Sequence, residues 1–577
     1  MTEGTPDSTR IGVSARPWWR GPRANRLGLP AAIVAAGLVL ALGLGSLGAL
    51  LWQAPRWDVA RLWQEPYLLA IVRFSVWQAT LSTLASLGLG VVVAVALARR
   101  PRFAGRTLLL RAMELSLVIP SLLALFGLVA VHGRQGWAAP LVQALPLGQA
   151  NQSPDYLYGL SGIVLAHVFF NLPLSARLML QALESVPTTH WRLVAQFGLG
   201  RGAIWRLVEW PCLRRLLPRL AALVFTLCFS SFAIVMTLGG GPGSSTLEVA
   251  LYQAIKYDND LALAALLALT QLVVCLGLWA LALAAGGMPR LAGSASERSL
   301  GPGFRRDAFG LRRLTDAVVL LALAALLLPP LIAVVTAGLA GLPALVGDAR
   351  VWAAAARSLA MAAAAGLAAV LLATALLSGC AALAERGHTA ASAFLEGSGQ
   401  LILILPAMVM GTGLFLLLRP RLGGDVEGYV LVIVVNAMMA LPFALQVLRN
   451  AVLGLATAQR RIADQLGVHG LSRARWLVWP RLRRPAALAL AYAMTLSLGD
   501  FSVIALFGSP SAPTLPMLLY QQLGGYRWQG AAATALLLLI LVVAVFALLL
   551  GLTRRLPRYA WRGAHHAAPS VAASRLR

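Results

Sequence analysis

Long apolar stretches alternate with short polar ones along this chain. Charged side chains disappear between Arg26 and Arg56, Arg73 and Arg99, Glu114 and Arg134, Asp155 and Arg177, Arg219 and Glu248, and Asp260 and Arg290. After a polar stretch the intervals resume: Asp316 to Asp348, Arg357 to Glu385, Glu396 to Arg419, Glu427 to Arg449, Arg484 to Arg527 with only Asp500 inside, and Arg527 to Arg554. A helix that crosses the hydrocarbon core of a bilayer needs about 20 apolar residues. The intervals reach that length, and their Leu, Ala and Val content suits helices. A transmembrane β-barrel would need short alternating strands instead. The pattern predicts an all-α integral membrane protein with about 12 transmembrane helices. Its first apolar run follows a polar tail and exceeds the 7–15 residues typical of a cleavable signal core, so it is expected to remain as an anchor.

The pattern is duplicated. Residues 192–215 read RLVAQFGLGRGAIWRLVEWPCLRR and residues 461–484 read RIADQLGVHGLSRARWLVWPRLRR, an offset of 269. The match continues from SSFAIVMTLG (230–239) to GDFSVIALFG (499–508), and Thr246-Leu247…Tyr252-Gln253 reappears as Thr514-Leu515…Tyr520-Gln521. Pro120 and Gly127 pair with Pro406 and Gly413. Six helices per copy is an even number, so both copies share one topology, as in a parallel repeat about an axis along the membrane normal. The expected organisation is an N-tail (1–28), a first half (29–286, core 73–285), a linker (287–314), a second half (315–553, core 353–550) and a C-tail (554–577).

Composition agrees with lipid as the solvent. The chain of 577 residues is 59% hydrophobic and only 12% charged, with a mean hydropathy of +0.77. The net charge of +27 would suggest nucleic acid on a soluble protein. Here most of the 48 basic residues fall in the segments that share a side with the N-terminus. Basic loops stay cytoplasmic, so both termini are expected to be cytoplasmic, and the charge is read as topology and contact with anionic membrane lipid. The four cysteines are scattered and form no paired motif.

The best-conserved stretch between the halves is the loop after the fourth helix of each, not a span. Gly198 to Pro211 and Gly467 to Pro480 are both 13 residues apart. A glycine there can end a short helix, because it tolerates positive φ. Trp205 and Trp476 offer apolar contact, and Pro211 and Pro480 are expected to turn the chain back towards the membrane. Two copies with one spacing point to docking elements.

These loops resemble the EAA loop of binding-protein-dependent ABC importer permeases, whose pattern is E-A-A, three residues, Gly, then a distal Pro. Arg192-Leu193-Val194 and Arg461-Ile462-Ala463 occupy the E-A-A positions, so both loops depart from the pattern at Glu. The segments LESVP (183–187), VEWPCLRR (208–215), FTLCFSSFAIVMTLGGGP (225–242), MALPF (439–443) and SLGDFSVIALFG (497–508) are similar to fused permeases of thiamine and thiamine-pyrophosphate ABC importers. The fused ferric-iron permeases share the two-half layout and are the competing reading. The resemblance implies a type I importer fold, two copies of an ABC ATPase that carry ATP and Mg on their own chains, and a periplasmic or extracellular substrate-binding protein. It implies no cofactor in this chain. The coupling residues it points to are Arg192, Gln196, Gly198, Trp205, Trp210 and Pro211, with Arg461, Gln465, Gly467, Trp476, Trp479 and Pro480.

The residues themselves carry no GxxxxGK[ST] nucleotide loop, and GGGPGSS (239–245) lacks the lysine. Energy for transport must then come from a separate ATPase or from an ion gradient. An ion-coupled secondary transporter would need several midplane ionisable residues. Only Asp500 stands inside an interval, where a carboxylate is costly and ordinarily faces a cavity or a partner. Its counterpart is Ser231. Asp500, Ser231 and Asn171 are the candidate translocation-path residues, against a bland alternative of helix capping and cross-helix hydrogen bonds. Tyr252-Gln253 and Tyr520-Gln521 suit either an outer surface for the delivery protein or packing within each half.

Overall fold

The computed structural model describes residues 28–52, 60, 64–140, 155–286, 311–418, 425–454, 465, 466, 468, 472 and 474–555. The first half holds α1 (Gly28–Trp52), α2 (Pro66–Arg99), α3 (Arg106–Val118), α4 (Ser121–His132), α5 (Leu160–Glu184), α6 (Thr188–Gln196), α7 (Trp210–Phe229), α8 (Phe232–Leu238), α9 (Leu247–Lys256) and α10 (Leu261–Gly286). The second holds α11 (Leu311–Val346), α12 (Ala349–Glu385), α13 (Thr389–Gln400), α14 (Ala407–Leu418), α15 (Asp425–Leu453), α16 (Trp479–Gly499), α17 (Ser502–Phe507), α18 (Leu515–Gly524) and α19 (Trp528–Arg555). The chain is an all-α membrane protein. Among the described residues eight helices are long and apolar enough to cross a bilayer, or nine if α7 and α8, bent by 50°, form one span.

The predicted intervals that are not single rods are the third and fifth of each half. Pro120 separates α3 from α4, and Pro406 precedes α14. A proline has no N–H to give to the preceding turn, and it pushes the residue before it out of the helical region. Ile119 is accordingly extended, with φ −67° and ψ 133°. Pro173 and Pro442, by contrast, lie inside the continuous helices α5 and α15. The fifth span breaks at Ser230-Ser231 in the first half and at Asp500-Phe501 in the second.

The second, fourth and fifth helices pack together in each half: α2, α5 and α7 in one, α12, α15 and α16 in the other. The first helices cross over. α1 lies against α12, α13 and α14 of the second half, and α11 lies against α2, α3 and α4 of the first. The duplicated glycines explain how closely they approach. A Cβ on Gly127 would overlap the carbonyl oxygen of Pro330 in α11, and one on Gly413 would overlap that of Ser46 in α1. Without a hydrophobic drive between helices in lipid, close backbone contact through small residues is what holds such pairs. The outer faces of these helices are apolar, with Ile33, Val34 and Leu321 pointing away from the protein.

A polar stripe runs along α2 inside the first half. Ser75, Gln78, Ser82 and Ser86 are all buried, at spacings that place them on one helical face. Ser75 Oγ accepts from the Leu247 amide at 2.9 Å, at the start of α9. In the second half Ser358 Oγ accepts from the Leu515 amide at 2.8 Å, at the start of α18. Both bonds satisfy an amide that a helix start leaves without an internal partner.

Candidate functional site

The repeated loop is best described in the first half. α6 ends in a Schellman motif: Leu199 N–H donates to Val194 O at 3.1 Å and Gly198 N–H to Ala195 O at 3.3 Å. Gly198 has φ +58°, the left-handed value this motif requires. Trp191 and Val194 anchor the inner face of α6, while Arg192, Leu193, Gln196 and Phe197 are exposed. Phe197 is 73% exposed, and its counterpart Leu466 is also 73% exposed. Leu207 and Trp476, again equivalent positions, are exposed as well. Large apolar residues exposed at matching positions of the two halves form surfaces suited to contact with another protein. Sequence reading missed Phe197 and Leu466, whose signal was an apolar residue just before each glycine. Gln465 is exposed; Arg461 and Gly467 lie outside the described residues.

The prolines do not turn the chain, contrary to expectation. The turn is made at Phe197–Gly200, and a helical turn, Arg201–Ile204, then leads through a π-helical stretch, Trp205–Glu209, straight into α7. The second half repeats the π-helical stretch at Ala474–Val478 before α16. Pro211 and Pro480 sit at the second position of α7 and α16. Each lacks the N–H of a normal helical bond, and the widened turn just ahead is the local rearrangement that lets the helix pass through. π-turns of this kind often mark functional positions. Trp205 and Trp210 pack with ring centroids 5.8 Å apart, and Trp479 is exposed like Trp210.

At the other candidate region the two fifth-span breaks meet. Phe232, just after the first break, stacks on Phe501, in the second, with centroids 5.6 Å apart and planes at 27°. Tyr252 of α9 packs on Phe232 at 5.1 Å and Tyr520 of α18 on Phe501 at 4.8 Å. These are repeat-equivalent pairs, so the four rings form a row centred on the pseudo-twofold axis. Phe232 is 1% exposed and Phe501 2%. Tyr252 and Tyr520 therefore pack within their own halves, against Phe232 and Phe501; the neighbouring Gln253 is exposed.

Each break is held by the fourth helix. In the first half His167 Nε2 is 2.6 Å from Ser231 Oγ, and its Nδ1 is 2.9 Å from Ser82 Oγ. The break frees the Cys228 carbonyl, which accepts from Gln78 Nε2 at 3.1 Å and from Ser231 Oγ at 3.0 Å. Asn171 gives its amide to Cys228 Sγ at 3.3 Å and stays within the first half. In the second half Asn436 takes the place of His167. It donates to Ser497 Oγ at 3.0 Å and lies beside the Asp500 carboxylate. Asp500 Oδ1 accepts from the Val503 amide at 3.4 Å, a cap on α17, while Oδ2 has no partner.

Asp500 is partly buried, and a second carboxylate near it is fully buried. Glu248 on α9 is 1% exposed, one helical turn before Tyr252. Its Oε1 accepts from Gln271 Nε2 at 2.6 Å, and Oε2 has no partner. It is within electrostatic reach of Asp500 across the repeat interface. Sequence reading missed it because it ends an apolar interval and so looked like a boundary residue.

The comparisons with known proteins agree with this arrangement. Residues 86–286 match the family model for the binding-protein-dependent transport system inner membrane component. The chain is 46% identical to the thiamine transport system permease protein ThiP of Escherichia coli strain K12 over 517 residues, 89% of this chain and 94% of that protein. It is 42% identical to ThiP of Brucella abortus strain 2308 over 89% of this chain and 92% of that protein. It is 38% identical to ThiP of Haemophilus influenzae over 88% and 91%. The likeness covers about nine-tenths of the chain and so both halves, and this chain belongs to the ThiP family of binding-protein-dependent ABC transport permeases.

Proposed function

We propose that this chain is the translocating subunit of an ATP-driven importer that carries thiamine or its phosphate esters across the cytoplasmic membrane. The observation that carries the substrate is the identity of 38–46% to proteins named thiamine transport permeases, over about nine-tenths of the chain. Two ABC ATPase subunits, which bind ATP and Mg and perform the hydrolysis, seat on the two loops through Phe197, Leu207, Leu466 and Trp476. A substrate-binding protein delivers from the opposite face. The chain itself is no enzyme, and both termini share the cytoplasmic side with the loops.

The mechanical reading follows from continuity. α6 is joined through one glycine turn and a π-helical stretch to α7, and α7 ends at the break that carries Phe232. Drawing the two loops together therefore loads the two breaks that close the axis. The ATPase and the loaded binding protein shift the equilibrium only by binding the open and closed arrangements with different affinity. The test is ATP-dependent uptake of labelled thiamine and of ferric iron into vesicles containing the full complex. Uptake of thiamine is the expected result; uptake of iron without thiamine would overturn the reading.

A further inference from the structure

The row of rings and the carboxylates of Glu248 and Asp500 have no common purpose in a purely structural account. A fully buried carboxylate oxygen without a partner costs free energy, and Glu248 Oε2 is such an atom. Its repeat counterpart is Pro516, just as Asp500 corresponds to Ser231. The backbone repeat therefore needs neither charge. Both carboxylates nevertheless flank one feature: Glu248 is one turn from Tyr252, and Asp500 immediately precedes Phe501. The four aromatic rings of the same segments are joined through centroid distances of 5.1, 5.6 and 4.8 Å. The negative face of an aromatic ring attracts cations, most strongly where water is excluded.

We propose that Phe232, Phe501, Tyr252 and Tyr520, with Glu248 and Asp500, form a transit site that passes a planar organic cation between the two halves. The inference rests on the thiamine reading and adds the site to it. Thiamine carries a permanent positive charge on its thiazolium ring and a second flat ring beside it. As the halves part, the Phe232–Phe501 stack is replaced by stacks of each ring on the substrate, so the row never loses its aromatic contacts. The carboxylates balance the charge during passage. A bare metal ion fits less well: among the described residues no three His, Cys, Asp or Glu side chains gather to hold one.

The test uses the full complex with its ATPase and binding protein in vesicles. Thiamine uptake is measured beside ATP hydrolysis stimulated by the loaded binding protein. Phe501→Leu and Glu248→Gln are each expected to lower the thiamine taken up per ATP hydrolysed at least tenfold. Phe501→Tyr and Glu248→Asp are expected to recover most of the loss, which a purely space-filling role would not require of the charge. Phe232→Leu is the parallel probe on the other half if Phe501→Leu does not assemble. Uptake per ATP hydrolysed within twofold of wild type in both Phe501→Leu and Glu248→Gln would overturn the proposal. So would a conservative variant no better than its disruptive partner. A wild-type complex that moves no thiamine would instead overturn the functional reading itself, before any variant is compared.

Discussion

The two halves share a scaffold and differ in the polar chemistry at its centre. In the first half His167 holds Ser231 at the fifth-span break. In the second, Asn436 stands beside Asp500 in the same place. The devices that shape the backbone are matched: Gly127 with Gly413 under the crossed-over helices, Ser75 with Ser358 at the start of α9 and α18, and a π-helical stretch before each fifth helix. The charges are not matched, since Glu248 corresponds to Pro516 and Asp500 to Ser231 in the repeat. Duplication preserved what positions the helices, because a change there disturbs packing on both sides. It left the side chains at the axis free to diverge, because two halves around one pathway need supply each group only once.

If the scaffold is symmetric, equivalent lesions should have equal effects. Gly127→Ala and Gly413→Ala each force a Cβ onto a backbone carbonyl. Overpacking of this kind costs about 1–3 kcal/mol and occasionally more. Both variants should lose thermal stability in detergent by similar amounts, and a large difference between them would break the comparison.

The loops should also behave alike. Phe197→Asp and Leu466→Asp alter equally exposed apolar positions. Loss of an anchoring residue at an interface costs about 2 kcal/mol, so each variant should bind the ATPase roughly 30-fold more weakly while the unfolding temperature of the isolated permease stays unchanged. An effect confined to one loop would show that the two ATPase subunits are gripped differently.

Smaller effects are expected from Ser75→Ala and Ser358→Ala. Each removes one acceptor from the first amide of a short helix. The loss is worth about 1 kcal/mol, readable as faster hydrogen exchange at the start of α9 or α18. The smallest effect concerns the ion pairs tying the third span to the fourth, Glu114 with Arg177 and Glu396 with Arg449. They are partly exposed, and such pairs contribute about 0–1 kcal/mol. Glu114→Gln and Glu396→Gln should therefore shift thermal unfolding little, and a strong shift in only one would sharpen the asymmetry.

Much of this was legible beforehand, and the reasons are local. Hydrophobic runs mark where a chain can enter lipid, because each backbone group must be satisfied inside its own helix there. The repeat showed the two halves and the Gly–Pro spacing of their loops. Gly198 met its expectation because positive φ is a property of a single residue. Pro211 did not, since whether a proline ends a helix or rides through on a widened turn depends on the turn before it. Glu248 was passed over because a carboxylate at the end of an apolar run looks the same whether it faces water or a buried partner.

The sequence by itself determined the solvent, the duplication and the family. Each is written in neighbouring residues or in the comparison of one stretch with another. Only the tertiary structure decided that α1 and α11 cross to the opposite half, that Phe232 meets Phe501 between the halves, and that two carboxylates far apart in the chain come within electrostatic reach of each other. A phenylalanine in an apolar run carries no mark of its partner. Its role here comes from the pseudo-twofold packing of two halves, a long-range arrangement that helical periodicity does not encode.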